Sequence, residues 1–370
     1  VWIFCISFGS SLYRKRTASG SATAPAAVLR FAGAVFHTAN VGLPTENALD
    51  LIRRVVSDHQ SMRCFPGLGL NMQVLKAACV VAVLGVLCVQ PAMAQTRFGA
   101  QASEAEPDRR QQWLLPSPDP ATAAHAILFR PFGEGPFPLS IVAHATSQNV
   151  LRRAQMPQPE YRALAALMVA RGFAVLVPER PGHGATAGRY LEDQGGCDEA
   201  DYAKAGRATA DTIAAALDIM RGQSFIRQDG TVIVGHSAGG WGALALAARN
   251  PPGVAAIVAF APGRGGRAND LPNQVCAPHT LISAAAEFGK TARVPVTWLV
   301  AANDSYFSPA LSRQIADAFR AGGDKVDFRV LAAYGGEGHW LAETEGGVKS
   351  AAAELDRALK LRNPKPAKKR

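Results

Sequence analysis

The sequence predicts an α/β fold, a mostly parallel sheet with helices on both faces. Three observations point there. Short, near-continuous apolar runs alternate with helix-period segments from residue 123 onward. The composition, 48% hydrophobic and 18% charged over 370 residues, excludes a fibrous or wholly disordered chain. A glycine-flanked serine, GHSAG at 235–239, sits between one such run and one such helical pattern.

The elements follow in order. HAILFRP (125–131) and FPLSIVAHA (137–145) read as strands. PEYRALAALMVARG (159–172) reads as a helix, because Leu164, Leu167 and Met168 recur at spacings of three and four and Gly172 offers a stop. FAVLVPE (173–179) is the next strand, and 198–221 is a long helical pattern. TVIVG (231–235) leads as a strand into the helix GGWGALALAARN (239–250). GVAAIVAFAP (253–262) and VPVTWLVAAND (294–304) are strands. PALSRQIADAFRAGG (309–323) is a helix opened by Pro309, and VDFRVLAAY (326–334) is a strand. A final helix is expected over 348–361, after the breakers Gly346 and Gly347. One domain then spans 123–361, preceded by a polar arm (95–122) and followed by a basic tail (362–370). The less regular stretch 264–290 is expected to form a small cap over the site.

The first 94 residues read differently. Lys76, an apolar run over 77–89, and the A-x-A of Ala92, Met93 and Ala94 make the three parts of a secretory signal peptide over 72–94. The run is shorter than the roughly 20 residues a membrane span needs. Met72 is therefore the expected initiator and 1–71 an upstream extension. The expected location is periplasmic or secreted, without stable membrane insertion once the signal is removed. From residue 95 onward, 31 Lys and Arg face 26 Asp and Glu, a net +5 against +10 for the whole chain. That surplus, partly gathered in the tail NPKPAKKR, is no nucleic-acid footprint. Of six cysteines only Cys197 and Cys276 remain, and in an exported protein they are expected to form a disulfide. The sequence carries no signal for an oligomeric state.

GHSAG fits G-x-S-x-G, the nucleophile elbow, with Ser237 on a sharp strand-to-helix turn. Gly235 and Gly239 would relieve the crowding of such a turn. The Ala238 N–H would face a forming oxyanion, aided by the helix N-terminus. A serine nucleophile needs a base and an orienting acid. His339, in the glycine-rich loop AYGGEGHWLAE, is the expected base; His279 follows no strand end. Asp304, closing VPVTWLVAAND, is the expected acid. Asp270 lies in an irregular stretch, Asp324 and Asp327 lie at or within a strand, and Glu337 is two residues from His339.

The second oxyanion donor is expected from AHATSQN (143–149), as the N–H of Ala145 or Thr146, with Ala145 favoured. The Thr146 hydroxyl is the other way that loop would line the hole. His144 and His183 are expected to support these loops, and Arg180 and Arg189 to be exposed. Trp241, Tyr306, Phe307 and Trp340 are pocket candidates, each within four residues of Ser237, Asp304 or His339. No H-E-x-x-H, Cys/His cluster or phosphate-loop pattern occurs, so no metal or cofactor is expected.

These residues resemble the α/β-hydrolase superfamily, nearest its secreted dienelactone-hydrolase-like or acetylxylan-esterase-like branch, over about 123–361. The resemblance rests on GHSAG with Ser237, on Asp304 after its strand and on His339 in its late loop. It implies an α/β-hydrolase fold and hydrolysis of esters, less often of peptides or other acyl bonds, with no cofactor. Ser237 stands where true dienelactone hydrolases are known for a cysteine. The expected activity is an exported carboxylesterase acting on a small-molecule ester through an acyl-enzyme. A prolyl-oligopeptidase-like peptidase is the second expectation, although no acidic pair for a substrate amine is identifiable. A non-catalytic binding protein on the same fold is the third, and the complete Ser–Asp–His set argues against it.

Overall fold

The structure, a computed structural model, describes residues 2–6, 28–31, 34–40, 97–323 and 325–360. The expected signal peptide and basic tail lie outside the described residues. Two compact units divide the chain near residue 93. The first contains β1 (Trp2–Ile6), β2 (Val28–Phe31) and β3 (Ala34–Asn40), paired antiparallel in the order β1-β3-β2. These strands fall within 1–71, the expected upstream extension.

The second unit is built on one nine-stranded sheet, ordered β12-β11-β10-β9-β7-β8-β6-β5-β4. Its strands are β4 (Gly99–Ala100), β5 (Gln111–Leu115), β6 (Ala124–Phe129), β7 (Leu139–Ala143), β8 (Ala174–Pro178), β9 (Thr231–His236), β10 (Val254–Phe260), β11 (Val296–Ala301) and β12 (Val326–Leu331). From β12 to β8 all neighbours are parallel, whereas β6, β5 and β4 pair antiparallel. Every residue of β7, β8, β9 and β11 is buried, so these strands read as continuous apolar runs without alternation.

Helices cover both faces. On one lie α3 (Tyr202–Arg221), α4 (Ala238–Ala247), α5 (Pro278–Gly289) and α6 (Pro309–Arg320), which bury Ile213, Leu217, Trp241, Phe288 and Phe319 against the sheet. On the other lie α2 (Arg162–Val169) and α7 (Glu345–Lys360), with Leu164, Met168, Val348 and Leu355. A short α1 (Val150–Ala154) follows the loop after β7. The chain leaves β8 on one side of β7 and returns as β9 on the other. The carboxyl ends of β7 and β9 therefore flank a topological switch point, where open α/β sheets bind ligands.

Three expectations change. The polar arm supplies β4 and β5; Trp113 and Leu115 of β5 are buried, although polar neighbours hide them in the sequence. Half of the expected cap is body: α5 buries Leu281, Ala284 and Phe288, and it approaches α6 so closely that a Cβ on Gly289 would lie 1.9 Å from the Phe319 carbonyl oxygen. Only 264–277 stays irregular. Gly346 and Gly347 are no breakers, because α7 begins at Glu345 with the Thr344 hydroxyl accepting the Gly347 N–H at 3.2 Å. A side chain at Gly347 would meet the Leu341 carbonyl at 2.1 Å.

Candidate active site

Ser237 stands between β9 and α4 with φ 54° and ψ −119°. A serine in that region costs on the order of 1–3 kcal/mol and persists only where its surroundings hold it. They do: the Ser237 N–H donates to the Phe260 carbonyl (2.9 Å), and its carbonyl accepts from Trp241 N–H (2.9 Å) and Gly263 N–H (3.3 Å). The flanking glycines are required by contact. A Cβ on Gly235 would lie 2.5 Å from the Gly240 Cα, and one on Gly239 would lie 2.0 Å from the Ala143 carbonyl oxygen. The turn is thus pressed against the end of β7.

Asp304 and His339 meet as the sequence order suggests. Asp304 Oδ2 lies 3.0 Å from His339 Nδ1, and Oδ1 accepts the N–H groups of Tyr306 and Phe307 at 2.8 Å each. An ionised carboxylate only accepts, so Nδ1 carries the proton and Nε2 is the basic nitrogen. Both residues are 2% exposed. Burial pushes the His339 imidazole below its ordinary value, while Asp304 pulls it upward. Among the described residues, no hydrogen bond joins the Ser237 hydroxyl to His339. What ties the two segments is the neighbouring His236, whose Nε2 lies 2.8 Å from the His339 carbonyl oxygen.

Glu337 does not orient the ring. It accepts the His339 N–H at 3.0 Å and the Ser305 N–H at 3.1 Å, and it also pairs with the Ser305 hydroxyl and with Arg267. It fixes the main chain of the loop instead. Asp270 is exposed and far from this role; its carboxylate faces Arg152.

The loop after β7 is held from several sides. Ala145 N–H donates to the Tyr161 hydroxyl at 3.1 Å. His144 Nε2 accepts the Arg180 N–H at 3.1 Å, so Nδ1 carries the proton and meets the Ala145 carbonyl. His183 Nδ1 faces the carbonyls of Arg180 and Pro181, which leaves Nε2 to accept from the Thr146 hydroxyl at 2.6 Å. Burial holds His183 down at about 4, consistent with a neutral ring. The Ala145 amide is already engaged, and the Thr146 hydroxyl points its proton at His183. Among the described residues, the Thr146 amide has no hydrogen-bond acceptor.

A model of the dienelactone hydrolase family matches residues 158–361. The chain belongs to the dienelactone hydrolase family. Comparison with curated proteins gave no match. Among solved structures the chain is similar to a Mycobacterium tuberculosis puromycin-hydrolyzing peptidase, at 15% identity and TM-score 0.50, over 70% of this chain and 40% of that one. It is similar to a Pyrococcus horikoshii acylaminoacyl peptidase, at 12% identity and TM-score 0.50, over 73% of this chain and 43% of that one. A cold-adapted esterase from an Arctic intertidal metagenomic library is aligned at 16% identity and TM-score 0.47, over 70% of this chain and 99% of that one. By fold the chain is an α/β-hydrolase, and by family it is a hydrolase.

In this dienelactone hydrolase family member the pocket candidates separate. Trp241 and Phe307 are core, buried to 0% and 1% exposure. Trp241 donates its indole N–H to the Tyr202 carbonyl at 2.8 Å. Tyr306 stacks on His339 with ring centroids 4.1 Å apart and planes 17° apart, and Trp340 meets the same ring edge-on at 5.3 Å. Phe307 and His236 also approach that ring, with centroids 5.7 and 5.1 Å away. Arg180 is not exposed: it pairs with Glu192, which also pairs with Arg264, and all three are buried. The two guanidinium groups hold Glu192 down at about 2 against its burial. A disulfide joins Cys197 to Cys276, tying the segment after Glu192 to the segment after Arg264. A cavity of about 1020 Å³ opens beside Ala145, Tyr161 and Glu343, and neither Ser237 nor His339 lines it. His236, Tyr161, Glu343 and Glu192 had no assigned part in the sequence. Of these only His236 carried a signal, its place inside GHSAG.

Proposed function

We propose that the chain is an exported serine hydrolase that cleaves carboxylic esters, with Ser237 as nucleophile, His339 as base and Asp304 as orienting acid. The observation that carries this is the buried Asp304–His339 pair at 3.0 Å beside a serine held at positive φ on a strand-to-helix turn. His339 Nε2 takes the hydroxyl proton as Ser237 Oγ attacks the ester carbonyl. The oxyanion is held by the Ala238 N–H, which opens α4 where helix amides have no intrahelical acceptor, and by the Thr146 N–H. His339 then returns the proton to the leaving alcohol. Water, deprotonated by the same imidazole, attacks the acyl-enzyme and releases the acid and Ser237. Tyr306 and Trp340 form the aromatic wall beside the base.

The Cys197–Cys276 bond supports export, since such bonds persist in oxidising compartments. The test is Ser237→Ala. It should abolish turnover of short-chain p-nitrophenyl esters and labelling by a fluorophosphonate probe, with the circular dichroism spectrum unchanged. Turnover retained in the variant rules out Ser237. Parallel assays on peptide substrates separate an esterase from a peptidase.

A further inference from the structure

The buried histidine before Ser237 has a partner at each ring nitrogen. Nε2 lies 2.8 Å from the His339 carbonyl oxygen, which can only accept, so Nε2 carries a proton. Nδ1 lies 3.0 Å from Glu343 Oε1 and 3.0 Å from the Tyr161 hydroxyl. The Tyr161 oxygen already accepts the Ala145 N–H, and its single proton has two candidate acceptors, Nδ1 and Glu343 Oε1 at 3.2 Å. If Nδ1 were bare, its lone pair would face a carboxylate oxygen at hydrogen-bond distance. If Nδ1 is protonated, it donates to the Tyr161 oxygen and faces Glu343 as an ion pair at 3.0 Å, while the Tyr161 proton goes to Glu343. The carboxylate is held below its usual range by His236 and Tyr161 against burial, which agrees with that state.

We propose that His236 is a positioning residue: an imidazolium clasped between Glu343 and the main-chain carbonyl of His339. Both jaws come from one short 3-10 turn, Gly338–Glu343, and the ring between them belongs to the strand that ends at the nucleophile. The clasp therefore fixes the base loop against the elbow through main chain, while Asp304 fixes the imidazole through its side chain. Tyr161 extends the same network to Ala145, next to the oxyanion donor Thr146. Elbow, base loop and oxyanion loop are joined at one charge pair whose imidazole is buried. Glu343 reaches the pair from the surface, with its side chain 38% exposed.

This inference rests on the Ser237–His339–Asp304 reading, and one readout is independent of it. Long-range 15N–1H spectra of 15N-histidine-labelled protein at pH 7 report the charge on each ring. His236, assigned as the ring that changes in Glu343→Gln, should show the imidazolium pattern in the wild type and a neutral pattern in the variant. A neutral wild-type pattern overturns the clasp whatever the enzyme hydrolyses. The second readout is kinetic. Misplacement of a catalytic group by about 1 Å can cost about 100-fold, so Glu343→Ala should lower kcat by about tenfold or more. KM should stay within about twofold, as expected where ground-state binding is untouched. Glu343→Gln, which can still donate to a neutral Nδ1, should fall between that variant and the wild type. Wild-type kcat in Glu343→Ala, or a loss that follows the unfolded fraction, overturns the proposal. Loss of fluorophosphonate labelling in Ser237→Ala decides the triad separately.

Discussion

A histidine serves as a base only while one ring nitrogen is bare. His339 is buried, and that burial pushes its imidazole below the ordinary 6.5, with Asp304 and Glu337 pulling the other way and His236 adding to the depression. A lowered value keeps the base neutral to lower pH, so activity is lost only as pH falls through that lowered value. The dependence of kcat/KM on pH for a neutral ester reports the free enzyme. Its acidic limb should have a midpoint below 6.5; a midpoint above it sinks either the base assignment or the balance of burial over Asp304. At this scale the strained turn at Ser237 and the contact of Asp304 with His339 were legible because each carries a local signature: a glycine-flanked turn, a strand end, a late glycine-rich loop. The bond of the Ala145 amide to Tyr161 was not legible because its acceptor is a side chain sixteen residues away, and a backbone amide has no sequence signature of its own. His236 and Glu343 went unread for the same reason, being 107 positions apart in the chain yet 3.0 Å apart in space.

Elements were legible where burial is complete or periodic. The strands from β7 to β11 bury both faces, and α3 repeats its apolar face over twenty residues, so each reads directly. Partly covered elements did not read. β5 holds only three apolar residues in a row between polar stretches, and α5 was mistaken for a cap because the loop before it is irregular. The glycines behave likewise. Those at the elbow were read as relief of crowding, and the contacts bear this out. Those at Gly346 and Gly347 were read as breakers, whereas Gly347 serves close packing on Leu341. A test of the elbow follows. A Cβ on Gly239 would sit 2.0 Å from the Ala143 carbonyl oxygen and 2.6 Å from that of His144, both backbone atoms that no rotamer change can move. Gly239→Ala should destabilise the fold by about 3 kcal/mol or more, at the upper end of overpacking costs. Gly196→Ala, with nothing within 4 Å, should be close to neutral. Urea denaturation of the pair measures both, and equal midpoints contradict the crowding account.

At the scale of the whole molecule, the loops beyond β7, β8 and β10 are pinned by buried charge as much as by apolar contact. Glu192 lies between Arg180 and Arg264, His183 sits beside it, and the Cys197–Cys276 bond closes the same region. Two arginines on one carboxylate leave a net positive charge there, which opposes any further proton. His183 responds: burial and Arg180 lower it to about 4 from 6.5, outweighing the pull of Glu192. Unfolding frees it to take up a proton near 6.5, so the unfolded chain binds more protons than the folded one between these values. Stability is then complete above about 6.5 and declines as pH falls toward 4. At about 1.4 kcal/mol per unit, His183 alone removes about 3 kcal/mol across that window. Glu192, held at about 2 from 4.5, adds a second loss that begins below 4.5. Urea unfolding followed from pH 7.5 to 4.5 should therefore show a falling midpoint well before the carboxylates titrate, and His183→Asn should make that limb shallower while lowering stability at neutral pH, the buried His144 and His339 keeping their own part of it. A midpoint constant down to pH 4.5 would mean that His183 is solvated in the folded protein, and the hydrogen bond that orients Thr146 would go with it.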